Sequence, residues 1–267
     1  MTPLRIRPAA VAGLFYTDVP SALATEVQGL VEAASAQRAV GEASPKAIIA
    51  PHAGYVYSGA IAASAYACLT GSRDVVTRVV LMGPAHRKWV DGMASVSVEA
   101  FDTPLGPVRV DQRAIAELLD LPQVVIDDAA HEQEHGLEVH LPFLTERLGR
   151  PSIVPLLVGG ASADEVAEVL ERLWGGPETL VVISSDLSHH HDDETARAMD
   201  GQTTAAIEAL RPDAITSEGA CGAGPIRGLL IQAQRHGLSA ETVELGNSGD
   251  TAGSRDQVVG YGSYVFR

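Results

Sequence analysis

Short apolar runs alternate with amphipathic stretches along most of this chain. The runs Ala47–Ala50 (AIIA), Arg78–Met82 (RVVLM), Ser152–Val158 (SIVPLLV) and Leu180–Ser184 (LVVIS) are four to seven residues long and rich in β-branched residues. They read as strands, as does a C-terminal pair near Thr242–Leu245 and Val258–Phe266. Helical spacing marks Pro20–Ala36, Gly59–Leu69, Asp111–Leu119, Ala163–Leu173, Asp193–Leu210 and Pro225–His236. Continuously apolar strands between amphipathic helices predict an α/β fold. It would be a single domain with a mostly parallel or mixed central sheet and helices on both faces. Met93–Val98 followed by Phe101–Pro107, with its Gly and Pro turns, reads as an inserted hairpin. No internal repeat, low-complexity tract or linker-like stretch divides the chain.

Composition narrows the class of function. The chain has 267 residues, of which 46% are apolar, enough for a full core. Lys plus Arg is 19 and Asp plus Glu is 34, a formal charge of −15. That charge disfavours nucleic acid and anionic lipid, both of which need a basic face. No apolar run has the length of a membrane span, and the broken stretch after Arg5 and Arg7 does not read as a secretory signal. Two cysteines, Cys68 and Cys221, do not make a disulfide scaffold, so a reducing cytoplasm is the expected location.

In a parallel sheet, ligands bind beyond the carboxyl ends of the strands. AIIA runs into Pro51-His52-Ala53-Gly54-Tyr55 and RVVLM into Gly83-Pro84-Ala85-His86. LVVIS leads into Ser185-Asp186-Leu187-Ser188-His189. One loop histidine carries little meaning. Three at equivalent strand ends predict convergence on one edge, where imidazoles serve as metal ligands or acid–base groups. Asp186 reads either as an acceptor that orients His189 or as a cap on the following turn. Cys221, set among small residues just before Pro225, reads as an accessible thiol at a helix N-terminus, where a thiolate is favoured. A thiolate would join two imidazoles on a transition metal. Cys68, in SAYACL, reads as core.

The stretch HEQEHGLEVHLPF contains His131-Glu132-x-x-His135, a literal zinc-peptidase pattern. That pattern works only on a continuous helix, and Gly136 follows at once. Glu134, His135, Glu138 and His140 read instead as residues lining the same cleft or as charge on a solvated loop. The polar cluster Asn247–Thr251 suits a tight turn or the cleft equally well.

The ordered set RPAAVAGLFY, APHAGYVYSGAIAASAY, LMGPAHR, EHGLEVHLPFL, IVPLLVG, VVISSDLSHH, CGAGPI and NSGDTAG…VVGYGSYVF resembles the Memo family, the B component of the AmmeMemoRadiSam group. The resemblance runs along nearly the whole chain and implies a fold like the class III extradiol dioxygenases. It implies His52 and His86 as metal histidines, Cys221 in place of the dioxygenase carboxylate, and His189 with Asp186 as the acid–base pair. It further implies Fe(II), with copper or zinc as alternatives that a Cys/His/His set also suits. Tyr55, His135, Glu138 and His140 are then expected to bind a small-molecule or peptide substrate. Expected partners are a radical-SAM protein and the third member of that group. The competing expectation is a non-catalytic, peptide-binding protein that reuses a dioxygenase cleft.

Overall fold

The computed structural model describes residues 4–36 and 43–267, so the first three residues of the N-terminal stretch read above lie outside it. A nine-stranded mixed sheet forms the centre. Its strands are β1 (Ala47–Ala50), β2 (Arg78–Pro84), β3 (Met93–Ser95), β4 (Val124–Ile126), β5 (Ser152–Val158), β6 (Thr179–Ser184), β7 (His189–His191), β8 (Ala240–Asn247) and β9 (Val258–Phe266). The order is β7-β9-β1-β6-β2-β5-β3-β4, with β8 on the other side of β9. The four central strands, β1, β6, β2 and β5, are parallel. They contain the four β-branched runs visible in the sequence, and every residue of β1 and β6 is buried. That burial on both faces is why these strands show no polar alternation.

Six longer helices cover the sheet: α1 (Pro20–Ser35), α2 (Tyr55–Ala67), α3 (Leu141–Leu148), α4 (Ala163–Leu173), α5 (Asp193–Glu208) and α6 (Ala223–Arg235). Alternate residues of β9 show that both faces are covered. The Ser263 hydroxyl bonds the carbonyl of Ile61 in α2, whereas Tyr264 pairs its hydroxyl with Thr204 in α5. Helix α1 buries Leu23, Val27 and Val31, a stripe spaced by one turn. Helix α4 opens with a capping box between Ser162 and Glu165.

Three readings need correction. Met93–Ser95 is not part of an inserted hairpin. It lies in the main sheet, antiparallel to β5. Only Ala100–Phe101 and Val108–Arg109 form a hairpin, in a small separate sheet with Ile6–Arg7. Helix α3 was not marked by periodicity, because its eight residues follow directly on a buried 3-10 turn, Glu138–His140. Asn247–Thr251 closes a turn: Asn247 accepts from Gly249 N while its own N–H donates to Asp250 Oδ2. Among the described residues, no helix is long and apolar enough to cross a membrane.

Candidate metal centre

The parallel register sets the site. Ala50 lies opposite Ser184, Met82 opposite Ile183, and Pro84 opposite Val158, so the central strands end nearly level. The loops that leave β1 and β2 therefore bring His52 and His86 together, with ring centroids 5.0 Å apart. The loop leaving β6 reaches the N-terminal approach to α6. There Cys221 Sγ stands 3.4 Å from His52 Nε2 and accepts from Asp186 N at 3.3 Å. Gly222 permits this approach, since a Cβ there would lie 2.6 Å from the Cβ of Ser185.

Hydrogen bonds fix the tautomers. Ser184 Oγ donates to Gly136 O at 2.5 Å, which uses its only proton. It must then accept from His52 Nδ1, 2.6 Å away. The His52 Nε2 lone pair consequently faces Cys221. Glu134 accepts from His86 N at 2.7 Å and from His86 Nδ1 at 2.9 Å, which leaves His86 Nε2 as the free donor atom. His189 Nδ1 donates to Leu187 O at 2.9 Å, so its Nε2 is free as well. In each ring the outer nitrogen is held and the other carries a lone pair, the arrangement that orients metal-binding imidazoles.

The electrostatics suit a cation. Burial holds His52 well below the usual imidazole range, with His86 and His135 adding to that shift, so it stays neutral. Burial would raise Glu134, but the His86 hydrogen bond and charge and the N–H groups of Gly136 and His86 outweigh it. Its carboxyl is brought down to about 2. Burial, and after it the charge of Asp186, pushes the Cys221 thiol up to about 12. The thiolate expected from the helix N-terminus is thus disfavoured without a cation. The thiol has two acceptors within reach, His52 Nε2 at 3.4 Å and Asp186 O at 3.6 Å. A metal ion that displaced the thiol proton would meet Cys221 Sγ and His52 Nε2.

His135 completes the cluster. Ligand-capable atoms of His52, His86 and His135 all lie within 4.8 Å of one another. The His135 ring stacks on His86 at 4.8 Å and is covered by Phe15 at 4.8 Å. Its Nδ1 is buried without a hydrogen bond. Glu134 Oε1 is 3.3 Å away but misaligned for one. Leaving such a nitrogen unpaired costs about 1–3 kcal/mol, and a bound cation would remove that cost. The donor set therefore fits a transition metal.

Several residues placed in the cleft by sequence lie in the core instead. The Tyr55 hydroxyl donates to Val139 O at 2.7 Å, beneath the site. Glu138 is fully buried and accepts from Arg7 Nη1, Ala10 N, Val11 N and Tyr16 Oη. His140 is fully buried and pairs Nδ1 with Tyr66 Oη. Of these four, only His135 reaches the site. All three face inward because the 3-10 turn Glu138–His140 and the first turn of α2 pack against each other across Phe143. Asp186 does not orient His189. Its Oδ1 accepts from His52 N at 2.7 Å, and Oδ2 lies 3.9 Å from His52 Nε2. The zinc-peptidase pattern is not a site: the short helix Asp128–His131 ends at its first histidine, whose Nε2 is spent on Ala94 O. Ser184 went unread in the sequence. Its only signal is a hydroxyl at the last position of a strand that ends beside histidine loops.

Fold and site together define an α/β protein with a mixed sheet and a histidine-rich, metal-suited centre at the carboxyl edge of that sheet. The family described as Memo-like protein matches residues 7–265. The chain belongs to the Memo family. It is 33% identical over 275 residues to a MEMO1 family protein of Aquifex aeolicus, covering 98% of this chain and 100% of that one. It is 34% identical over 278 residues to a MEMO1 family protein of Methanosarcina acetivorans, covering 98% and 99%. In three dimensions it is similar to the uncharacterized protein JW3007 from Escherichia coli K12. There the TM-score is 0.50 at 13% identity, over 82% of this chain and 98% of that one, a likeness of fold alone.

Proposed function

We propose that this chain is a cytoplasmic non-haem metal oxidoreductase that holds its ion with His52, His86 and Cys221. The observation that carries this reading is the pair of fixed tautomers: Nε2 of His52 faces Cys221 Sγ at 3.4 Å, and Nε2 of His86, whose ring lies 5.0 Å from that of His52, is left free. The Fe(II) preferred here, or copper in its place, would supply one-electron and O₂ chemistry to a small-molecule or peptide substrate. His189, anchored through Nδ1, takes or returns a proton at Nε2. Asp186 holds the His52 loop through its N–H and keeps a second polar group against that ring. Phe15 walls one side of the cluster and limits water there. A radical-SAM protein and the third component of the AmmeMemoRadiSam group are the proposed partners.

The test is metal content after anaerobic purification, for the natural chain and for His52→Ala, His86→Ala and Cys221→Ala. Stoichiometric iron or copper that falls sharply in each variant supports the reading, and undiminished metal in all three ends it. O₂ uptake with catechol-like and peptide substrates then separates turnover from binding. Loss of turnover in His189→Ala with metal retained assigns the proton-transfer role.

A further inference from the structure

The compact cluster at this edge is three imidazoles, and Cys221 meets it through His52. We propose that His135 is a fourth donor to the same cation, so that the ligand set is three imidazoles and one sulfur. This rests on the metal reading above and extends it to a residue otherwise expected to bind substrate. Three observations lead here.

First, the three-imidazole cluster is tight: ligand-capable atoms of His52, His86 and His135 lie within 4.8 Å of one another. Second, His135 differs from its neighbours in how it is tethered. The Nδ1 atoms of His52, His86 and His189 each have a partner, in Ser184, Glu134 and Leu187. Nδ1 of His135 is buried and has none. The ring stacks on His86, with Phe15 tilted against it and His52 edge-on. His140 Nε2 in the core is orphaned too, so what marks His135 is an orphaned nitrogen within the imidazole cluster. Third, Glu134 stands behind both rings. One oxygen, Oε1, is 2.9 Å from His86 Nδ1 and 3.3 Å from His135 Nδ1. The carboxylate thus orients His86 through Nδ1 but leaves His135 Nδ1, on the same side, without a hydrogen bond.

His135 also sits where a releasable donor belongs. All three imidazoles lie outside helix and strand, but His52 and His86 follow β1 and β2 by two residues, whereas no strand leads into His135. Four protein donors fill the sphere of a tetrahedral ion, and a set of three leaves a position open. His135 therefore decides whether the centre is closed or open.

The experiment loads the full chain with Cu(II) and counts coupled nitrogens by pulsed electron paramagnetic resonance. In parallel, Zn(II) affinity is measured by chelator competition for the natural chain, His135→Phe and His52→Ala. Three coupled nitrogens in the natural chain, falling to two in His135→Phe, support the proposal. So does a loss of Zn(II) affinity of about 100-fold in His135→Phe, at or beyond the upper end seen when only an outer partner is removed. Two nitrogens in the natural chain, or unchanged affinity in His135→Phe while His52→Ala loses it, overturns the fourth donor and leaves the metal reading intact. No stoichiometric binding by the natural chain overturns both. The nitrogen count on the natural chain needs no variant, so a poorly folded His135→Phe does not spare the proposal.

Discussion

Ser184 Oγ lies 2.6 Å from His52 Nδ1 and spends its own proton on Gly136 O. One hydroxyl at the end of β6 thus sets the tautomer of a histidine at the end of β1. The same hydroxyl ties both to the loop that carries Glu134 and His135. Ser184→Ala removes the acceptor and leaves the His52 ring free to adopt the other tautomer. Metal affinity should fall about 10–100-fold, with the fold retained. Chelator competition with Zn(II) measures it, and affinity equal to that of the natural chain would show that the relay has no hold on the ring.

Much of this architecture is legible in the residues alone. The central strands were legible because burial on both faces makes AIIA, RVVLM, SIVPLLV and LVVIS continuously apolar. His52 and His86 were legible because strand ends in a parallel sheet share an edge. What a linear sequence does not carry is direction within a short irregular segment. Glu134 and His135 project into the site, while Glu138 and His140, three to six residues on, project into the core. Spacing in a 3-10 turn gives no periodicity long enough to separate those two fates. Sequence proximity leaves Asp186 open between orienting His189 and capping the following turn. The hydrogen bond goes instead to His52, 134 residues away.

The Glu138 carboxylate ties the N-terminal segment to the site. It accepts from Arg7, from two backbone N–H groups and from the Tyr16 hydroxyl, and Arg7 in turn donates to His131 O and Glu134 O. Both partners of the ion pair are buried. Removing one charge strands the other, at a cost of about 3–5 kcal/mol. Tyr16→Phe loses a single hydrogen bond, worth about 1.5–3 kcal/mol because the acceptor is charged. Denaturant titration should therefore rank Glu138→Gln well below Tyr16→Phe in stability. Equal losses would mean that the pair is not buried as described.

His131 gives the fold a pH dependence of predictable sign. Burial holds its imidazole down to about 4, despite the Ala94 carbonyl on Nε2 and the charges of Glu134 and Asp128; Arg7 reinforces the shift. The folded value lies below the unfolded one, about 6.5. Between these two values the unfolded chain binds a proton that the native chain refuses. The stability contribution is fully present above about 6.5 and is lost as pH falls toward about 4. Over the part of that window between about 6.5 and 5, where few carboxylates titrate, the loss from this group amounts to ~2 kcal/mol at most. His131→Gln keeps an N–H for Ala94 O and has nothing to titrate. In metal-free buffer its unfolding free energy should change less over that range than that of the natural chain. Parallel pH profiles would remove His131 from the account.

Gly222 tests whether the approach of the Cys221 loop to β6 matters for the metal. Its φ of −88° is open to any residue, so the case for glycine is one of space. A Cβ at this position would stand 2.6 Å from Ser185 Cβ and 2.8 Å from Ser184 O, and the second of these is backbone. Neither can yield without parting the two loops that hold Cys221 and His52 together. Gly224, two residues onward, is a built-in control, because a Cβ there meets only a methyl of Val158, at 3.2 Å. Gly222→Ala should cost about 1–3 kcal/mol of stability through overpacking and should weaken Zn(II) binding. Gly224→Ala should do less of both. The same pair can be read through Cys221 itself, which is partly accessible. Zn(II) should protect the thiol from iodoacetamide in the natural chain and in Gly224→Ala, and protect it poorly in Gly222→Ala. If Zn(II) shields Cys221 equally in all three, the sulfur does not depend on this close contact to reach the ion.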